Sequence, residues 1–98
     1  MAQAIQVYLG VPKTSVLPVY TVPAGRRTKI TDLIFYNTDT EDASVTLSIN
    51  TTDAMKHVIK GGQTLVLTSS IVLNENDKLS LQQDKQNAIN VTISGELE

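Results

Sequence analysis

The chain has 98 residues, no cysteine, no tryptophan, one histidine and a formal net charge of -2 from 8 basic and 10 acidic side chains. That length predicts one domain with a thin core, since a chain near 100 residues buries only about two-thirds of the surface it exposes when unfolded. Without cysteine there is no disulfide, thiol nucleophile, redox dithiol or thiolate metal site. His57 alone cannot build a two- or three-histidine centre within one chain.

The near-balanced charge predicts no nucleic-acid partner, and no apolar run approaches the roughly 20 residues that span a bilayer, so no membrane partner is expected. The opening Met1-Ala2-Gln3-Ala4-Ile5 lacks a basic leader, so no secretory signal is expected and synthesis is placed in a cytoplasm.

In chain order, hydrophobic residues fall at every second position. Ile5, Val7, Leu9 and Val11 alternate with Gln6, Tyr8 and Gly10. Val45, Leu47 and Ile49 alternate with Thr46 and Ser48, and Leu65 and Leu67 flank Val66. Leu79 and Leu81 follow, then Ile89, Val91, Ile93 and Leu97. A period of two puts one set on a buried sheet face and the other toward solvent. Turn-rich clusters around Pro12–Ser15, Pro23–Arg26, Asn37–Asp42, Gly61–Gly62, Asn74–Asp77 and Asp84–Asn87 cut the chain into short pieces. The spacing predicts strands over 3–10, 16–22, 28–37, 44–50, 56–60, 63–68, 71–73, 78–83 and 88–97. Residues 1–98 are thus expected to form one all-β domain, a single antiparallel β-sandwich of jelly-roll type. Residues 1–12 supply an N-terminal strand that closes the chain's own sheet or reaches as an arm to a neighbour's edge.

Strand 28–37 departs from simple alternation by ending in Leu33-Ile34-Phe35-Tyr36. Three arrangements account for two apolar faces: a covering loop or N-terminal segment, a packed second subunit, or a bulge that shifts the phase. If the second face meets a subunit, Ile34 and Tyr36 are its contact residues. Tyr8 and Tyr20 join them because tyrosine combines large contact area with one polar tip. The same four residues also fit ordinary packing within the monomer.

Signals for chemistry are sparse. His57 lies in a short basic stretch with no Gly-x-Ser-x-Gly elbow elsewhere, and reads as an exposed strand histidine. The acidic groups Asp39, Glu41 and Asp42, and Glu75 with Asp77, lack the spacing and glycine of a calcium loop and read as turn residues. No catalytic residue, metal or other cofactor is expected. Arg26, Arg27 and Lys29 form the one compact basic cluster, a candidate docking patch for a neighbouring subunit.

Several segments together resemble a family. Tyr20-Thr21-Val22-Pro23-Ala24-Gly25 leads into Lys29–Thr38, followed by Ala43–Ile49, Ile71–Leu79 and Ile89–Leu97. This succession, over about residues 17–97, resembles the small β-sandwich virion proteins of tailed bacteriophages. One departure is Asn76, which stands before Asp77 where that pattern has glycine; asparagine is a fair substitute where a turn needs a left-handed residue. The resemblance implies a non-enzymatic accessory part of a virion: capsid decoration, head fibre, or neck or tail accessory. It further implies self-association and docking on the major capsid or tail protein of the same particle. A homotrimer is the expected oligomer. The alternative function is a carbohydrate- or receptor-binding module of a phage tail or fibre, for which four aromatic residues and no tryptophan offer little stacking surface.

Overall fold

The computed structural model describes residues 2–98; Met1, the first residue of the expected arm, lies outside them. Eight strands follow one another: β1 (Gln3–Gly10), β2 (Leu17–Thr21), β3 (Thr28–Asn37), β4 (Ala43–Ile49), β5 (Thr52–Ile59), β6 (Thr64–Leu73), β7 (Lys78–Gln83) and β8 (Ile89–Leu97). They form two four-stranded sheets, β1-β8-β3-β6 and β2-β7-β4-β5, with every pairing antiparallel. Consecutive strands pass from one sheet to the other except at β4–β5. That order is the two interleaved Greek keys of a jelly roll. We call the sheets A and B. β1 pairs with β8 of its own sheet.

Two expected segments, 63–68 and 71–73, are one strand. β6 runs through Ser69-Ser70 with its alternation intact, because Ser69 donates its hydroxyl to the Ile30 carbonyl (2.8 Å) where β3 and β6 lose register. β5 starts four residues earlier than the pattern predicts, closed against β4 by a turn in which Asn50 takes a left-handed φ of 57°.

The core lies between the sheets and is built from Ile30, Leu33, Phe35, Leu47, Leu73, Leu79, Leu81, Ile89, Val91 and Ile93, all essentially sealed from solvent. Two buried amides close its ends. Asn37 donates its side-chain N–H groups to the Ile59 (2.8 Å) and Glu41 (2.9 Å) carbonyls and accepts from the Asp39 N–H (2.9 Å). Gln83 donates to the Pro12 carbonyl and accepts from Ala88 and Ile89 N–H. Each satisfies chain ends that would otherwise bury unpaired polar groups.

Bulges set the phase of sheet A. β1 shifts register against β8 between Gln6 and Tyr8, and β3 shifts against β8 between Ile30 and Asp32. Both shifts meet β8 beside Ser94. Gly95 sits between them, where a Cβ would overlap the Lys29 carbonyl and lie 3.2 Å from the Val7 side chain. Only glycine fits between two bulged neighbours there.

The β1 bulge corrects the alternation read from the sequence. Val7 is buried as expected, but past the extra residue Tyr8 turns inward opposite Ile93 and Leu9 turns outward opposite Thr92. In β3 the shift at Thr31 puts Leu33 and Phe35 inward and leaves Ile34 and Tyr36 outward. The four large residues in a row therefore split cleanly between two faces.

Candidate interaction surface

The outward face of sheet A carries a row of exposed apolar residues that is interrupted only by Thr92 on β8. Leu9 lies opposite Thr92, Thr92 opposite Ile34, and Ile34 opposite Val66, so the row crosses all four strands. Leu9 is 63% exposed, Ile34 38% and Val66 61%, and beside them Tyr36 is 43% exposed between Asn90 and Thr64. No segment of the described chain covers this face. Toward the other end the next row is the exposed Asp32 between Ser94 and Thr68, and beyond it Lys29 sits between Glu96 and the exposed Val72.

The outward face of sheet B differs. Its rows run through Ser44 and Val58, through Gln82, Thr46 and Lys56, and through Pro18, Ser80, Ser48 and Asp53. Ser48 donates its hydroxyl to the Asp53 carboxylate (2.8 Å), and only Val58 is a large exposed hydrophobic on β5.

The four expected contact residues separate. Ile34 and Tyr36 lie together in the open. Tyr8 is half-buried against the core, its phenol over Gly10, and burial raises its pKa above the ordinary tyrosine value. Tyr20 is half-buried on β2 and shares a 2.7 Å hydrogen bond with the Thr28 hydroxyl, linking the two sheets. Both phenols therefore serve chiefly their own protomer's packing, on different sheets from each other. Leu9 and Val66 were missed as surface residues. Alternation alone sets Leu9 with the half-buried Ile5 and the buried Val7, and the signal that moves it is a bulge visible only through pairing.

The basic cluster divides as well. Arg26 and Arg27 line a shallow cleft of about 450 Å³ at one end of the sandwich, with Gly25, Asn74, Glu75 and Glu98. Arg26 donates from Nε to the Glu98 carbonyl (2.9 Å), Arg27 pairs through its backbone with Glu98, and Glu75 accepts the Gly25 N–H (2.6 Å). Lys29 stands apart on the face of sheet A.

This end also joins two segments of the quoted resemblance. Val22 exchanges backbone hydrogen bonds with Asn76 and Asp77, each 3.0 Å, and Asn76 adopts the left-handed φ of 66° that its glycine-like position requires. The Val-Pro-Ala-Gly turn and the Asn-Glu-Asn-Asp turn are thus one structural unit.

The remaining titratable groups act locally. His57 is half-buried, not exposed as its sequence context suggests, because β5 turns Met55, His57 and Ile59 toward the core; its ring lies 6.2 Å from that of Phe35. Asp39 accepts the N–H groups of Glu41 (3.4 Å) and Thr40 (2.6 Å), which, with Lys85 nearby, hold its carboxyl below the usual range. Lys85 pairs with Glu41 at 2.8 Å, which raises its pKa. Asp77 accepts the Asn74 N–H (2.8 Å) and a side-chain N–H of Asn50 (3.1 Å). Among the described residues no three His, Asp or Glu side chains converge.

No protein-family model and no curated protein sequence matches the chain. Solved structures do. A chain of the Bacillus endospore appendages, described as disulfide-linked pili, superposes with a TM-score of 0.53 at 8% identity, covering 99% of this chain and 84% of that one. The carbohydrate-binding module CBM36, solved with calcium and xylotriose, gives a TM-score of 0.48 at 12% identity over 98% of this chain and 99% of that one. At such identities the likeness is one of fold.

Proposed function

We propose that this protein is a structural accessory part of a bacteriophage virion, which self-associates and docks on the head or tail through the outward face of sheet A. The observation that carries the reading is the row Leu9–Thr92–Ile34–Val66, an apolar band on one face of a jelly roll whose other face is polar. An exposed apolar band with a polar surround marks an interaction surface. The jelly roll, a fold common among viral shell proteins, and the ordered sequence segments that resemble tailed-phage virion proteins support the same class.

The magnitudes describe how such a face works. Covering side chains that are 38–63% exposed contributes about 1 kcal/mol each, so Leu9, Ile34, Tyr36 and Val66 supply about 4 kcal/mol per copy and about 8 kcal/mol in a contact between two copies. Association costs at least about 4 kcal/mol in lost translation and rotation. One such contact is weak, and many copies arrayed on a particle turn it into firm attachment.

Light scattering over a concentration series reaching about 1 mM tests this, since a contact of about 4 kcal/mol half-saturates there. The mass of the wild-type protein rises above one chain, and that of I34K rises less. A wild-type mass of one chain across the whole series overturns the proposal.

A further inference from the structure

The two sheets end in four edge strands, and they are not alike. β2 is five residues long and contains Pro18, which has no N–H to offer. β5 carries Asp53, Lys56 and His57. β1 is interrupted at Val7 by its bulge. A short strand, proline, charges and bulges are the devices that keep an edge from pairing with another chain. β6 has none of them at its start: from Gly61 to Asn74 there is no charge and no proline, and Thr64 to Thr68 pair with β3 in unbroken register.

The backbone of that segment is open. Asn37 donates its N–H to the Gln63 carbonyl (3.0 Å), so on β3 the odd-numbered residues turn their N–H groups toward β6. Antiparallel pairs alternate between bonded and non-bonded, so Phe35 and Leu33 bond with Leu65 and Leu67. The N–H and C=O groups of Thr64, Val66 and Thr68 therefore point away from the sheet, into solvent. The side chains of these three residues are exposed too, on the outward face. On the inward side Leu65, Leu67 and Ile71 are only partly covered at this open margin of the sandwich.

We infer that β6 pairs with β6 of a second copy, antiparallel about a two-fold axis at Val66. This register sets Thr64 opposite Thr68 of the other copy and Val66 opposite its counterpart. The three open residues on each chain then bond with one another, and outward side chains stay outward on both chains. No charge meets a like charge, because the segment has none. A second copy is the occupant that fits, since the same residues satisfy the contact from both sides. The apolar row is also continued: from Leu9 of one copy to that of the other it crosses eight strands, about 34 Å at the usual strand spacing. The inference rests on the proposed self-association and changes its symmetry, since a two-fold edge contact gives pairs in place of the expected trimer.

The test is V66P, read by light scattering beside wild type and I34K. Proline removes the N–H at the two-fold axis while keeping an apolar residue, and in the monomer that N–H bonds to nothing on β3. V66P weakens association by at least about tenfold, the weight of a lost backbone pair at the axis. V66A keeps the N–H and loses only part of the apolar side chain, so it weakens association less than V66P does. If V66P associates like wild type while I34K does not, the edge inference falls and the face reading stands. If wild type never exceeds one chain, both fall. Should V66P not fold, amide exchange on wild type decides. The Thr64, Val66 and Thr68 amides become protected as concentration rises, and free exchange in the associated protein overturns the pairing.

Discussion

The two outward faces of this jelly roll are each made by four antiparallel strands, yet one is apolar and the other mostly polar. The outward face of sheet A exposes Leu9, Ile34, Tyr36, Val66 and Val72, whereas that of sheet B carries half-buried Ser44 and Thr46, exposed Lys56 and one large hydrophobic, Val58; the exposed Leu17 of β2 lies opposite the inward Leu81. The difference arises from phase. Sheet B has register shifts of its own, between Pro18 and Tyr20 and between Leu47 and Ser48, but on β4 and β7 its inward set of Val45, Leu47, Leu79 and Leu81 still alternates with polar residues. Sheet A has two bulges beside β8, and past each one an apolar residue is turned out: Leu9 after Val7, Ile34 after Thr31. A residue's face thus depends on the register of its strand and not on its own hydrophobicity.

The sharpest way to break the contrast is on β3, where neighbours point opposite ways. Phe35→Ala empties a sealed site and costs about 3–5 kcal/mol of stability, whereas Ile34→Ala costs under about 1 kcal/mol. Equal losses in chemical denaturation would show that the outward face is not what the geometry makes it. Next in size is assembly. I34K lowers the rise in mass with concentration while its unfolding midpoint stays close to wild type, because a lysine on a solvated face leaves the core alone. The matching charge on sheet B, T46K, changes neither mass nor midpoint, and an assembly that T46K disrupts as fully as I34K would erase the distinction between the faces.

The smallest effect concerns pH. Asp39 is held below its ordinary range in the folded chain by the N–H groups of Glu41 and Thr40. A depressed carboxyl contributes stability above its unfolded pKa and loses it as pH falls through the folded one. The thermal midpoint therefore declines modestly below about pH 4, and D39N removes that part of the decline. The turn lies away from the sheet A row, so association at neutral pH is untouched by D39N.

Much of this was legible in the chain. Alternation in β4, β7 and β8 identified their inward residues correctly, and the turn clusters located seven of the eight strands to within a residue or so of their starts. Asn76 in the left-handed region followed from the resemblance, whose pattern has glycine at that place. The outward position of Leu9 did not follow, nor did the inward half-burial of Tyr8 and His57. The unity of β6 was hidden as well, because Ser69-Ser70 reads as a break until its hydroxyl is seen bonding across to Ile30.

Local pattern, then, determined that the chain is all-β, where it turns and which strands alternate. These properties depend on residues next to one another, for which a period of two and a left-handed asparagine are sufficient signals. Tertiary structure decided which apolar residues remain outside and which edge is left open. Both depend on pairing between strands tens of residues apart: Val7 and Thr31 bulge against the same stretch of β8, and Gly95 is there to admit them.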